Sequence, residues 1–526
     1  MAMAAGLWLG ENVRVYLRNA TAVRDFRVQL RGNRSILLWS IYLAVLIGFA
    51  MLTYVSSASE GSMSIAEAQS TLYTFFRTVM GLLTTMVMLI APALTATAVV
   101  SERQRQSLDL VFSAPVSPKY YLVGKMLSSY RYIWMLLVLS LPVTAACIVL
   151  GGATWSEVLV SYALLSMHGL LFTAIALLIS TLSQKPTGAI VWSYVIVFAY
   201  TFYISFLVSL PAFLGVAMGA RSLRGLGEAP MSLALSPYSN VEAASTFTDI
   251  NGIQVPNWIL ASLVILLLVK LLLLGAGSSL SHLGSPVTKS LRIHALAYLF
   301  AVTMGLTFVW SQVYGMAGMV SSTGASPAAT SVGRFLIVAI LFLVPVIPFI
   351  SCYGRNLEKK FWPDGSFNVR RMLLGTPSGG LPFLLALVLC AAAGIFVSAS
   401  STMVHIYSQG FLSYLLYGLG LMAFLWSIGR GLSAMNENLR VTRTQHFAVL
   451  ICLLVLPLPF LGMADPYSFD QATVSLWDLF ILRPLYSVGD RSMHALALGL
   501  VLAVIAAMIE GANSRSRAAQ PGEPAS

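Results

Sequence analysis

Twelve long apolar runs constrain this chain more than any other feature of its 526 residues. Each is close to or longer than the ~20 residues that cross a bilayer core as a helix, and two are near 30 residues. Six lie at about 36–57, 72–100, 132–150, 158–182, 187–218 and 257–281. Six more lie at about 293–318, 333–351, 381–400, 409–429, 447–464 and 493–511. With 58% hydrophobic and 10% charged residues, a soluble fold is excluded, because no globular core hides so much apolar surface. We predict an all-α, polytopic integral membrane protein with about twelve transmembrane helices.

The basic residues predict the orientation of these spans. Lys and Arg accumulate in the cytoplasmic segments of membrane proteins. If both termini are cytoplasmic, the inner segments hold most of the 31 Lys and Arg residues, and the outer loops hold only Arg221, Arg224, Arg483 and Arg491. The net charge of +12 therefore reflects topology and does not indicate a nucleic-acid partner.

The two halves share one plan, which predicts a 6+6 arrangement. In each, a long basic inner loop joins the second and third spans, at 101–131 and 352–380. In each, the longest outer loop joins the fifth and sixth, at 219–256 and 465–492. Any chain with twelve spans can be divided into two groups of six, so equal numbers alone do not show a repeat. The second half is therefore either a diverged repeat of the first or an added module. The predicted domains are a cytoplasmic interfacial segment at 1–34, a six-helix domain at 35–282, a second at 283–512 and a disordered cytoplasmic tail at 513–526.

The segment before the first span has the pattern of an amphipathic helix. Val23, Phe26 and Leu30 form one apolar stripe at helical spacing. Four arginines repeat the spacing on the adjoining face: Arg24, Arg27, Arg31 and Arg34. Such a helix would lie on the inner leaflet, with its arginines toward the headgroups and its stripe toward lipid. The alternative is a basic flank that only orients the first span.

The inner loop at 101–125 carries the most specific pattern. A short amphipathic helix is predicted over 102–113, with Leu108 on its apolar face, and Pro115 ends it. A second short helix begins at Ser117-Pro118 and leads through Gly124-Lys125 into the third span. Two helices projecting into the cytoplasm would form a docking surface for a soluble partner. The alternative is an ordinary solvated loop.

This loop resembles the first cytoplasmic loop of permease subunits in the type-2 ABC exporter family. The matching residues are Glu102, Arg103, Leu108, Leu110, Pro115, Val116, Ser117, Gly124 and Lys125. The chain departs at Gln106, where glycine is usual, and at Ser107, where threonine is usual; we expect both changes to be mild on a helix surface. Arg24-Asp25-Phe26-Arg27 and Leu235-Ser236-Pro237 extend the resemblance over about residues 20–282. The second half carries no equally clear copy.

The resemblance implies an exporter channel in a bacterial plasma (inner) membrane, driven by a separate ATPase subunit. The chain has no Gly-x-x-x-x-Gly-Lys-Ser/Thr loop to bind ATP phosphates, so we expect no enzyme activity, catalytic residue, cofactor or metal in it. The expected partners are the ATPase, membrane lipids, an unidentified exported substrate and a second copy or the second half as a homo- or pseudo-dimer. The residues expected to couple to the ATPase are Glu102, Arg103, Leu108, Pro115, Gly124 and Lys125.

Polar residues inside the spans are candidates for a substrate pathway. Lys270 lies near the middle of the sixth span and His168 near the middle of the fourth. Lysine can also snorkel to the headgroups, and histidine can bond a neighbouring segment.

Two other functions stay open. A major-facilitator-type transporter would carry a different loop between the second and third spans. A membrane-embedded enzyme would need paired acids, or a Ser/His or His/Glu pair, at one depth, and the six histidines are scattered along the chain.

Overall fold

The structure, a computed structural model, divides into two compact units, Met1–His282 and Leu283–Ser526. Each unit is described by itself. The residues described are 19–30, 33–58, 65–108, 113, 118–149, 152–217, 235–250, 253–280, 286–318, 336, 340, 343–353, 367–400, 408–436, 438–454 and 492–518.

Unit 1 consists of long apolar helices with short elements at their ends. Its helices are α1 (Ala20–Leu30), α2 (Asn33–Ala58), α3 (Ile65–Thr95), α4 (Val100–Gln104), α5 (Pro118–Val149), α6 (Trp155–Leu182), α7 (Pro186–Ala217), α8 (Asn240–Ala244) and α9 (Asn257–Ser279). A 3-10 turn at Pro237–Ser239 precedes α8. Two strands, β1 (Phe247–Ile250) and β2 (Ile253–Pro256), form an antiparallel hairpin that pairs Ile250 with Ile253. The hairpin lies in the predicted outer loop, where the sequence patterns had not indicated strands.

Local sequence signals define the ends of α6. Thr154 is its N-cap, and the Glu157 side chain bonds back to the Thr154 backbone N–H, which completes a capping box. At the other end Ser183 has an extended backbone, and Pro186 begins α7 three residues later, where a missing N–H costs nothing. The break between the fourth and fifth predicted spans is therefore encoded locally.

Unit 2 has the same kind of architecture. Its helices are α10 (Pro286–Gly318), α11 (Ile347–Ser351), α12 (Gly380–Ser400), α13 (Ser408–Met435), α14 (Leu439–Leu454) and α15 (Ser492–Ala518). Short 3-10 turns occupy Val344–Val346, Val369–Arg371 and Pro377–Gly379. All twelve predicted spans contain helical residues in the described part of the chain.

The prediction of an all-α polytopic membrane protein is confirmed. Within the described ranges, seven helices are long and apolar enough to cross a membrane. They are Gln69–Gln104, Pro118–Val149, Trp155–Leu182, Asn257–Ser279, Pro377–Val397, Phe411–Met435 and Met493–Asn513. Shorter apolar stretches occur at Leu37–Leu52 and Pro186–Phe202. The total of twelve spans stays a prediction.

Each unit buries its own core and leaves apolar side chains on its outside. The core of unit 1 surrounds Phe76, Leu83 and Phe172, all fully buried. Large apolar residues such as Leu52 on α2 and Val191 on α7 are exposed, as expected for helices whose outer faces meet lipid.

Close packing of α13 against α15 depends on glycine. A Cβ on Gly420 would overlap the backbone carbonyl of Gly499, and one on Gly499 would lie 2.5 Å from the Cα of Tyr417. Small residues that let two backbones approach are a common device for joining helices in membranes, where lipid is as apolar as the side chains.

We expect Gly420→Ala to destabilise unit 2, because the added methyl group must push two backbones apart. Overpacking of this kind costs roughly 1–3 kcal/mol. Gly431→Ala on the same helix is the matched control, since its Cβ would meet the Asn513 side chain at an ordinary 3.6 Å. Alanine is also the better helix former. Unfolding temperatures of the purified chain in detergent would measure both changes, and an equal effect of the two substitutions would contradict the packing argument.

Candidate functional site

The loop singled out by the sequence begins with a short helix and a left-handed turn. Helix α4 ends at Gln104, and Gln106 has a φ of 54°. The predicted single helix over 102–113 is therefore wrong at residues 105 and 106, because a left-handed residue cannot continue a right-handed helix. The expectation that Gln106 is a mild replacement on a helix surface is wrong for the same reason. Glycine, usual in the resembling family, adopts positive φ without a Cβ clash.

An ionic cluster joins α4, α5 and α1. The Lys125 ammonium lies 2.5 Å from the Glu102 carboxylate and 2.7 Å from the Asp25 carboxylate. Tyr121 donates a hydrogen bond of 2.6 Å to the second oxygen of Glu102. The Lys125 side chain is only 8% exposed, and both carboxylates are 17% exposed. Arg24, on the exposed side, approaches Glu102 to 3.8 Å. We call Asp25, Glu102, Tyr121 and Lys125 the ionic cluster.

Arg103 ties α4 to the end of α6. Its guanidinium donates to the carbonyl of Thr181 at 2.9 Å and to that of Ser183 at 3.1 Å. The last carbonyls of a helix have no partners within the helix and carry partial negative charge, so a cation there is stabilising. The Ser180 hydroxyl in turn accepts from the backbone N–H groups of Val99 and Val100, where α4 begins. Four hydrogen bonds thus link α4 to the end of α6, and the donor in each belongs to residues 99–103.

Gly124 lets α1 approach α5. A Cβ at this position would overlap the Thr21 hydroxyl and lie 2.6 Å from the Asn19 amide oxygen. Asn19 is fully buried, caps α1 by accepting from Thr21 N–H at 3.0 Å, and donates to the Tyr120 carbonyl at 2.8 Å. The Gly-Lys pair of the motif therefore has two roles. Gly124 has no side chain, which allows α1 to approach α5, and Lys125 forms an ion pair with Asp25 of α1.

The apolar stripe of α1 faces protein. Phe26 and Leu30 pack against the core of unit 1, whereas Val28 is exposed. The expectation that the stripe faces lipid is wrong, because the contacts of Asn19 and Asp25 with α5 turn it inward. Arg24 and Arg27 are exposed. Arg31 and the side chain of Arg34 lie outside the described residues, and the membrane-interface role of the four arginines stays a prediction.

The other coupling residues occupy different environments. Leu108 is buried in the core of unit 1, and Pro115 lies outside the described residues. Gln104, Arg105 and Gln106 are exposed and form the accessible tip of the turn.

The two intramembrane candidates lie in contrasting surroundings. His168 is fully buried, with Nδ1 at 2.9 Å from the Leu164 carbonyl and Nε2 at 3.2 Å from the Leu235 carbonyl. Lys270 on α9 is exposed. His168 thus binds the Leu235-Ser236-Pro237 element, and the pathway role of both residues stays a prediction.

The described part of the predicted outer segment after α7, which begins at residue 235, packs against the long helices. Thr84 on α3 donates to the Pro237 carbonyl at 3.3 Å, and its neighbour Thr85 lies 3.1 Å from the Tyr238 hydroxyl. Arg77 on α3 forms an ion pair of 2.6 Å with Glu242 on α8.

One cluster in unit 2 was missed from the sequence. His446 Nδ1 lies 3.2 Å from the Ser351 hydroxyl and 3.4 Å from the Cys352 sulfur, although 94 or more residues separate them along the chain. The structure thus contains a Ser/His pair that the scattered histidines did not indicate, since no local spacing connects the two helices. All three side chains are fully buried, and His446 Nε2 is held by the Leu425 carbonyl, so a substrate would have no access to the pair in this conformation.

We expect Lys125→Gln to destabilise unit 1, because the two carboxylates would then lose their buried shared cation and keep only the exposed Arg24 beside them. Breaking a buried ion pair on one side costs about 3 kcal/mol or more. Lys119→Gln, six residues earlier on α5 at an exposed position, removes the same charge and should change little. Comparison of the two unfolding temperatures in detergent would test this, and equal shifts would show that the ionic cluster does not stabilise the fold.

We expect Gln106→Gly to stabilise the chain by roughly 1 kcal/mol, because a non-glycine residue with positive φ is strained. Gln106→Ala also removes the long side chain but keeps the Cβ, so it should give no gain. The same unfolding measurement applies, and a gain from alanine equal to that from glycine would assign the effect to the side chain and not to the backbone.

Comparison with known proteins gives one family. The model of the family described as ABC-2 family transporter protein matches residues 20–219. No curated protein gives a significant match to the chain. The matched range begins at α1, includes the ionic cluster and ends just after α7, so residues 220–282 and unit 2 lie outside it. The resemblance to type-2 ABC permeases is confirmed over residues 20–219, where the chain is similar to ABC-2 family transporter proteins, and this match supports a membrane permease of an ABC transporter.

Proposed function

We propose that the chain is the transmembrane permease subunit of an ABC exporter. It forms the translocation pathway in a bacterial inner membrane and couples through the 101–125 loop to a separate subunit that binds and hydrolyses ATP. The family match supports the permease role, and the ionic cluster is the observation that supports coupling at this loop.

The contacts of α4 suggest how coupling would work. A partner would press on the exposed tip at Gln104, Arg105 and Gln106. Displacement of α4 would act on α5 and α1 through Glu102, and on α6 through Arg103. Because buried ion pairs and hydrogen bonds at a helix end are directional, such a displacement would move these helices together. Leu108 would keep the loop seated on the core.

This proposal refines the roles of the predicted residues. Glu102, Arg103, Gly124 and Lys125 are positioning residues that transmit motion, and the exposed turn makes the contact with the ATPase. The expected substrate is unidentified.

The test uses the full chain in lipid nanodiscs with the ATPase subunit that is co-expressed with it. The chain alone should hydrolyse no ATP, and the reconstituted pair should hydrolyse ATP faster than the ATPase alone. Glu102→Gln should abolish this stimulation. Glu157→Gln is the matched control, since it makes the same chemical change on α6, and glutamine still satisfies the capping box.

The outcomes separate the two parts of the proposal. If an ion gradient drives solute transport by the chain alone, the chain is a secondary transporter and the permease role is wrong. If Glu102→Gln and Glu157→Gln both keep full stimulation, the permease role stands and the coupling assignment at Glu102 is wrong. Co-purification of each variant with the ATPase distinguishes loss of docking from loss of transmission.

A further inference from the structure

A hydrogen bond at the predicted inner end of unit 1 recurs in unit 2 at a fixed distance along the chain. In unit 1 the backbone N–H groups of Val99 and Val100, at the end of the second predicted span, donate to the Ser180 hydroxyl at 3.0 and 3.2 Å. In unit 2 the backbone N–H of Tyr353, at the end of the eighth predicted span, donates to the Ser433 hydroxyl at 3.3 Å. Tyr353 lies 253 positions after Val100, and Ser433 lies 253 positions after Ser180. Packing of apolar helices does not require this bond, so its recurrence indicates a shared plan.

The contact between the first and third spans recurs at the same distance along the chain. The Trp39 ring on α2 lies 6.4 Å from the Tyr132 ring on α5, centre to centre. The Arg292 guanidinium on α10 lies 4.5 Å from the centre of the Phe383 ring on α12. Arg292 follows Trp39 by 253 positions, and Phe383 follows Tyr132 by 251. The same positions therefore meet in both units although the side chains differ.

A glycine on the fourth span of each unit lies against the second and third spans. A Cβ on Gly169 would lie 3.2 Å from the side chains of Val87 and Ile133, which belong to these two spans. A Cβ on Gly418 would overlap the Ile340 side chain of the eighth span and lie 3.6 Å from the ninth span. Ile340 follows Val87 by 253 positions, and Gly418 lies four residues before the position that this distance gives. Residues four apart share one face of a helix, so the same faces meet in both units.

The fourth and sixth spans lie side by side in each unit. A Cβ on Gly275 of α9 would lie 3.5 Å from the Leu178 side chain of α6. A Cβ on Gly431 of α13 would lie 3.6 Å from the Asn513 side chain of α15. Gly431 follows Leu178 by 253 positions, whereas Asn513 follows Gly275 by 238, because the stretch that joins the two positions is shorter in unit 2. The pairing of these helices is the same, and the connection between them differs in length.

We propose that unit 2 is a second, diverged copy of the permease domain, and that its loop between the second and third spans docks a second ATPase subunit. Among the described residues, four helix contacts recur in the same order along the chain. In a parallel repeat of six spans both copies have the same orientation, so both loops lie on the predicted cytoplasmic side. The family match ends at residue 219 and does not assign unit 2. The inference rests on the proposed coupling of unit 1 to an ATPase.

The described part of the unit 2 loop contains an ordered, exposed turn at 367–371, which we call the docking turn. The Asn368 side chain holds this turn by accepting a hydrogen bond of 3.1 Å from the Arg370 backbone N–H. Phe367 is 53% exposed and Val369 is 60% exposed. Arg370 is exposed beside them. Apolar and basic side chains on a fixed turn outside the membrane suit contact with a soluble protein.

Photo-crosslinking tests whether the docking turn meets the ATPase. The full chain in lipid nanodiscs, with its co-expressed ATPase subunit, carries p-benzoylphenylalanine in place of Phe367, of Arg105 in the 101–125 loop, or of Phe247 in the predicted outer hairpin. Phe247 is the matched control, since both phenylalanines are 53% exposed. We expect crosslinks to the ATPase from positions 367 and 105 and none from 247. Crosslinks from position 105 alone would overturn the second docking site and leave the proposed function standing, and crosslinks from neither would overturn both.

The number of ATPase subunits bound per chain separates a second permease copy from an added module. Native mass spectrometry of the complex should give two ATPase subunits per chain. Val369→Asp should lower this number to one and reduce the stimulated ATP turnover at least twofold. Met493→Asp is the matched control, since Met493 is an exposed apolar residue at the predicted outer end of α15. One ATPase subunit per wild-type chain would overturn the inference, and so would equal losses of turnover in the two variants.

Discussion

The arrangement of unit 1 near its predicted cytoplasmic side depends on one desolvated ammonium group. Lys125 lies almost fully buried between two carboxylates that come from distant parts of the chain, Asp25 and Glu102. A lysine in such a place is tolerable only because both acids are present, since removing water from an unpaired cation costs more than the fold could supply. The positions of α1 and α4 therefore follow from the pairing of this one residue. Arg103 and Gly124 then set how closely the neighbouring helices approach.

The sequence was sufficient for the features that depend on local composition. The apolar runs predicted the long helices, and the Glu-Arg to Gly-Lys pattern predicted the family that the comparison confirmed over residues 20–219. What failed were the features that depend on contacts between distant residues. A short apolar period over 102–113 predicted one helix, but the left-handed turn at Gln106 ends it. The stripe of α1 was assigned to lipid because nothing in residues 20–30 indicates that Asp25 will meet Lys125.

The second unit shows the same limit. Ser351 and His446 are 95 positions apart, and no spacing rule connects them, so their contact emerges only from helix packing.

The distance along the chain between Asp25 and Lys125 has a consequence for how the protein is made. Ribosomes add roughly 5–20 residues per second, so about 5–20 s separate the synthesis of these two partners. During that interval α1 has left the ribosome while the lysine that will hold it does not yet exist. Its exposed arginines and its unpaired apolar stripe suit the inner leaflet, where an amphipathic helix can wait. The interfacial helix indicated by the sequence would then describe a stage of biogenesis, and the packed helix of the structure its end point.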